Sequence, residues 1–138
     1  MKKILLFSLI ISLGILNITT SYASSLPIYD ETYNNNQGAI YANGTPIIVS
    51  EENGKTVVSW ENGSQIVPNS VTIFGGGNGG NFASSSITMN GGTVQNLVGG
   101  GIGFTVENSS FVSNTKIIIN GGNVTNAIVG GGYFYSTV

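Results

Sequence analysis

The side chains with the most chemistry to offer are six carboxylates, four lysines and one tryptophan in a chain of 138 residues. The chain has no histidine and no cysteine. A Ser-His-Asp triad, a thiolate nucleophile, a Cys/His zinc site and a disulfide are therefore all excluded. No arginine is present either, so no bidentate guanidinium clamp for phosphate or carboxylate is available. Lys2 and Lys3 belong to the N-terminus, which leaves Lys55 and Lys116 for the rest of the chain. Two cations are too few to neutralise a phosphate backbone, so nucleic acid is not an expected partner. Glu51 and Glu52 are neighbours in a strand-like segment and should point to opposite faces. Glu107 falls in a loop, and Asp30 and Glu31 fall in a linker. No two acids are spaced to work as the paired carboxylates of a glycosidase. The expectation is a non-enzymatic protein with no catalytic residue.

Glycine-rich segments point to no cofactor. Residues 75–80 satisfy the G-x-G-x-x-G pattern, but a strand-like segment follows where a dinucleotide site needs a helix. The same glycines resemble calcium-binding turns but lack the aspartate such turns need for a hard cation. No cofactor and no metal are expected. Aromatic rings are the better binding candidates. Trp60 is the single tryptophan, and Tyr133, Phe134 and Tyr135 follow the last glycine triplet. Trp60, Tyr133 and Tyr135 are candidates for stacking on the apolar C–H faces of a sugar. The competing reading packs Trp60 inside the fold and spends the C-terminal rings on a last strand.

The elements that must carry these rings can be read in order. Residues 1–23 have the form of a secretory signal peptide. Lys2 and Lys3 precede an apolar run over residues 4–16, and Ser21 and Ala23 stand three and one before a cut after Ala23. That run is too short to span a bilayer comfortably, which takes about 20 residues. Cleavage would leave a secreted or cell-surface protein with no membrane insertion. Residues 24–37 read as a linker with little regular structure. Residues 38–70 hold Asn-Gly pairs at positions 43, 53 and 62 between apolar runs, the signature of an antiparallel meander acting as an N-terminal cap.

From residue 71 to residue 138 the chain repeats itself. Residues 86–101 (SITMNGGTVQNLVGGG) return as residues 116–132 (KIIINGGNVTNAIVGGG), at an offset of 30 and with one extra residue. Glycine triplets start at positions 75, 99 and 130. Repeats of this length mean solenoids or arrays, and no 3.6-residue period supports helices. The fold class expected is all-β: an antiparallel meander leading into a short parallel β-solenoid. Ile87 should then stack under Ile117, Met89 under Ile119 and Val94 under Val124, with Asn90 and Asn120 forming an amide ladder. An uncapped solenoid end would expose unpaired ladder groups, so either self-association through the C-terminal end covers them or the stack is incomplete at that terminus and this is the front piece of a longer protein.

The two copies resemble the repeats of bacterial surface proteins with pectin-lyase-like parallel β-helices, such as adhesins and autotransporter passenger domains. Gln37-Gly38-Ala39-Ile40 is similar to the Gly-Gly-Ala-Ile motif of polymorphic outer membrane proteins, and Phe111-Val112-Ser113-Asn114 to their Phe-x-x-Asn motif. The resemblance implies an extracellular role, commonly adhesion, with a glycan or another cell-surface ligand as partner. The arginine and acidic calcium cluster of pectin-degrading relatives have no counterpart here. A self-assembling extracellular fibre subunit and a carbohydrate-binding module are the alternative readings.

Overall fold

A computed structural model describes residues 26–134 and 136–137. The expected leader with its cleavage site, and Tyr135, lie outside the described residues. The described chain is all-β and winds as a solenoid of about three turns.

Two main sheets form the solenoid. The first holds β1 (Ile28–Asp30), β2 (Ala39–Tyr41), β6 (Thr72–Phe74), β8 (Thr93–Val98) and β11 (Asn123–Val129), in that spatial order. The second runs β13 (Ser136–Thr137), β10 (Ser110–Ile119), β7 (Gly80–Met89), β3 (Ile47–Glu52), β4 (Lys55–Trp60) and β5 (Gly63–Val67). A short third face pairs β9 (Ile102–Gly103) with β12 (Tyr133–Phe134). Successive coils are joined by parallel pairing: β2 to β6, β6 to β8, β8 to β11, and β3 to β7 to β10.

The register follows the sequence repeat. Ile117 lies opposite Ile87 and Ile119 opposite Met89, while Val124 lies opposite Val94. Asn120 donates through Nδ2 to Asn90 Oδ1 at 2.9 Å, so the expected amide ladder forms. The extra residue of the second copy is absorbed as an irregularity in β11 between Val124 and Ala127. An added residue in a ladder must either bulge or flip every later side chain to the wrong face, and the bulge preserves the core.

Inside, Ile40, Ile47, Val49, Ile73, Ile87, Met89, Val94 and Leu97 pack as one buried cluster. Each is an inward residue of a strand, and together they form aliphatic stacks running from coil to coil. The corners are built by glycine. Gly75 N–H donates to Val98 O, and Gly99 N–H donates to Val129 O, both at 2.8 Å. A Cβ on Gly75 would stand 2.5 Å from the Gly99 carbonyl oxygen, and one on Gly99 equally close to that of Gly130. The triplets are glycine because the coils touch backbone to backbone there.

Two features differ from the sequence reading. Asn53-Gly54 and Asn62-Gly63 do turn antiparallel hairpins, β3–β4 and β4–β5. Asn43-Gly44 does not: β2 belongs to the first sheet and β3 to the second, so this pair turns a corner of the solenoid. Both residues have left-handed φ, 53° and 78°. That conformation suits a corner as well as a hairpin, and the parallel partners β6 and β7 decide between them. The first coil therefore starts at Ala39, within the segment read as the cap. The segment read as a linker is also structured. β1 pairs antiparallel with β2, and a single turn follows at Tyr33–Asn36. Asn34, Asn35 and Asn36 hold φ of 47°, 58° and 65° there, a left-handed path that asparagine tolerates better than most residues.

Candidate functional site

The outward face of the first sheet carries two parallel columns. One is apolar: Tyr41, Phe74 and Val98 lie opposite one another on β2, β6 and β8, and Val129 continues the column on β11. Tyr41 stacks on Phe74 with ring centroids 5.4 Å apart. Tyr33, from the left-handed turn, meets Phe74 edge-on at 5.8 Å. Ile102 completes this second buried cluster. The turn before β2 is thus held down by an aromatic contact with a strand 41 residues further on, between Tyr33 and Phe74.

The other column is polar. Asn126 donates through Nδ2 to Asn96 Oδ1, and Asn96 donates through Nδ2 to Thr72 Oγ1, each at 2.8 Å. Thr72 and Asn96 are buried, and these bonds satisfy groups that would otherwise be costly away from water. The two columns run side by side, one polar and one apolar, and both are largely buried.

An open groove of about 460 Å³ lies over the polar column. Thr72, Gln95, Asn96 and Asn126 come from the strands. The turn supplies Tyr33, Asn34 and Gln37, and the corner after the second glycine triplet supplies Ile102 and Phe104. Asn34 Nδ2 donates to Gln37 Oε1 at 2.6 Å, which ties the two amides of the turn together. Phe104 is 55% exposed. Among the described residues, no carboxylate or ammonium lines the groove. Its chemistry is that of side-chain amides, one hydroxyl and aromatic rings.

Trp60 lies elsewhere. It ends β4 on the core-facing side, packs half-buried against the main cluster, and flanks Gly63 so closely that a Cβ there would stand 2.9 Å from the indole. A second cleft of about 480 Å³ passes the indole, bounded by Thr45, Pro46, Ile48, Glu61 and Thr88 among others. Trp60 and the first groove are built on different sheets and are not brought together. Tyr133 starts β12 beside Ile102 in the backbone ladder. The carboxylates are scattered. Glu51 and Glu52 are exposed beside the β3–β4 turn, Glu61 and Glu107 are exposed in turns, and Asp30 accepts from both the N–H and the hydroxyl of Thr32. Among the described residues, no three acidic side chains converge on a common point. Burial pushes the Tyr41 phenol up to about 12, with smaller electrostatic contributions from Asp30 and Tyr33 nearby, so it is held neutral.

The sequence reading missed Tyr33, Phe104 and the amides. The signal was partly present, since Asn96 and Asn126 occupy the same place in the two copies. No family model, curated protein or solved structure matches the chain.

Proposed function

We propose that this protein is an exported, non-enzymatic β-solenoid that acts as an adhesive module at a cell surface. The observation that carries the reading is the amide and aromatic groove on a sheet face, with hydrogen-bonding groups held by side-chain ladders and, among the described residues, no acid, base or cation lining it. Such a surface is suited to holding a ligand and not to moving protons. The leader-like residues 1–23 and the resemblance of the copies to bacterial surface β-helices support placement outside the cell.

The test has two parts. N-terminal sequencing of protein exported by a bacterial host should begin at Ser24. Beads coated with that protein should be retained by cell monolayers, and beads coated with heat-denatured protein should not. Intracellular retention with an intact leader would remove the export reading, and equal retention of both bead types would remove the adhesive one.

A self-assembling fibre subunit is the second reading. On the last full coil of the described residues, Ile119 and Ile128 are 44% and 55% exposed, although their stacked partners Met89 and Leu97 are fully buried. A coil from another copy would cover them. Sedimentation showing species that grow with concentration would favour this reading, and a monomer at high concentration would remove it.

A further inference from the structure

We propose that two copies of this chain pair face to face through the outer side of the second sheet, with Glu61 of each copy on Lys116 of the other. The contact is separate from the groove on the first sheet and goes beyond the adhesive reading.

Register places two rows of side chains across that sheet. Ser59, Ile48, Thr88 and Ile118 lie opposite one another on β4, β3, β7 and β10. The row beside them holds Glu61, just past β4, and Pro46, just before β3, followed by Ser86 and Lys116, which are opposite one another on β7 and β10. The chain neighbours Ile47, Trp60, Ile87 and Ile117 pack on the core, so alternation turns both rows outward. Ile48 is 46% exposed, and Pro46, Glu61 and Lys116 are exposed as well.

Charge marks the two ends of the face. An acid stands at one end and an ammonium at the other, three strand spacings or about 14 Å apart. That is too far for an ion pair and beyond the screening length of about 8 Å at physiological salt. The two charges therefore do not neutralise each other within one copy. A twofold axis along the strands, midway between β3 and β7, exchanges β4 with β10 and β3 with β7. It brings the acid of each copy to the ammonium of the other, twice. Sheets pack about 10 Å apart with strands aligned within about 30°, a gap that a glutamate and a lysine reaching from opposite sides can close.

Shape follows the same symmetry. The cleft of about 480 Å³ beside Trp60 lies at the Glu61 end of the face, over Pro46, Ile48, Ser59 and Thr88. The axis sets Ile118 and the lysine stem of the second copy above it. Apolar atoms of both leave water on entering, while the ammonium stays at the rim on Glu61. Any other partner would need this pair of charges at this spacing, and a second copy carries it by construction. A contact that maps onto itself also closes at two copies.

Sedimentation of the purified protein up to about 1 mM should show a monomer–dimer equilibrium that saturates at two copies and weakens with added salt. Carbodiimide coupling, which joins a carboxylate to an amine with loss of water, should link Glu61 of one copy to Lys116 of the other, as read by mass spectrometry of the dimer. Glu61→Lys and Lys116→Glu change exposed side chains and should each weaken dimerisation by about tenfold or more. The two variants mixed should pair with each other, and the chain carrying both changes should recover. Trp60 emission should change on dimerisation of the parent. A monomer throughout would overturn the proposal, as would a dimer indifferent to both substitutions, or variants that fail to pair when mixed. Growth beyond two copies with no Glu61–Lys116 link would overturn it too, in favour of stacking through the coil ends. Retention of coated beads by cells is read separately, so loss of the dimer leaves the adhesive reading standing.

Discussion

Substituting alanine for the first glycine of each triplet, at Gly75, Gly99 and Gly130, tests the stacking of the coils. The three positions are equivalent in sequence and differ in what lies above them. A Cβ on Gly75 meets the Gly99 carbonyl oxygen at 2.5 Å and the Ser85 side chain at 2.6 Å. A Cβ on Gly99 meets the Gly130 carbonyl oxygen at 2.5 Å and Thr115 Cβ at 2.9 Å. A Cβ on Gly130 meets no described atom within 4 Å. At the first two positions the obstacle is backbone, which cannot rotate aside. Overpacking of this kind costs about 1–3 kcal/mol. The hydrogen bond from Ser85 Oγ to Gly99 O, at 2.5 Å over Gly75, and that from Thr115 Oγ1 to Gly130 O, at 2.8 Å over Gly99, must also give way, for about 1 kcal/mol more at each position. Gly75→Ala and Gly99→Ala should therefore each lose about 2–4 kcal/mol, a large share of the roughly 5–15 kcal/mol that holds a domain of this size. With a urea dependence near 2 kcal/mol per molar, the midpoint should fall by about 1–2 M. Gly130→Ala should stay within about 0.5 kcal/mol of the parent. Far-ultraviolet circular dichroism and Trp60 fluorescence would report the same transition in one urea titration. Equal losses at all three positions, or a loss at Gly130 as large as at Gly99, would show that the triplets are not stacked as described.

Leu97→Ala should cost about 2–5 kcal/mol, because Leu97 is fully buried, whereas Ile128→Ala, at its half-exposed partner one coil on, should cost under about 1.5 kcal/mol in the same denaturation assay. Asn96→Ala should cost about 1–3 kcal/mol by leaving Thr72 without its amide donor, and a double-mutant cycle with Asn126→Ala should return a coupling of about 1 kcal/mol. The Tyr41 phenol ionises near 10 when unfolded and near 12 when folded. Between those values the unfolded chain has released a proton that the folded chain still holds, so stability should fall as pH rises from about 10 and level off above about 12. Tyr41→Phe should flatten that decline in alkaline urea titrations.

The coil stack was legible because the copies repeat at one offset. A shared offset fixes which residue sits on which, and the pairs Ile87–Ile117, Met89–Ile119 and Asn90–Asn120 follow from it directly. The first coil was hidden by chemistry that serves two ends. Asn43-Gly44 supplies left-handed backbone to a corner as readily as to a hairpin, and nothing within ten residues of it reveals the partner β6. Order in residues 28–37 was equally out of reach, since it depends on Tyr33 finding Phe74 across the sheet. The groove combines both cases. Its amide column comes from the repeat, but Tyr33 and Phe104 join it from non-repeating segments. Trp60 drew attention by being unique, and its half-burial against the core was a matter of which way a strand of alternating residues faced.

The groove crosses β6, β8 and β11, which lie in successive coils. Tension from a ligand seated there enters the protein at several rungs at once. Shearing it loose would load the main-chain bonds of neighbouring coils together, instead of peeling them singly as a pull on one end of the chain would. If the proposed adhesive role holds, a tether arranged in this way would resist shear better than the strength of any one rung suggests.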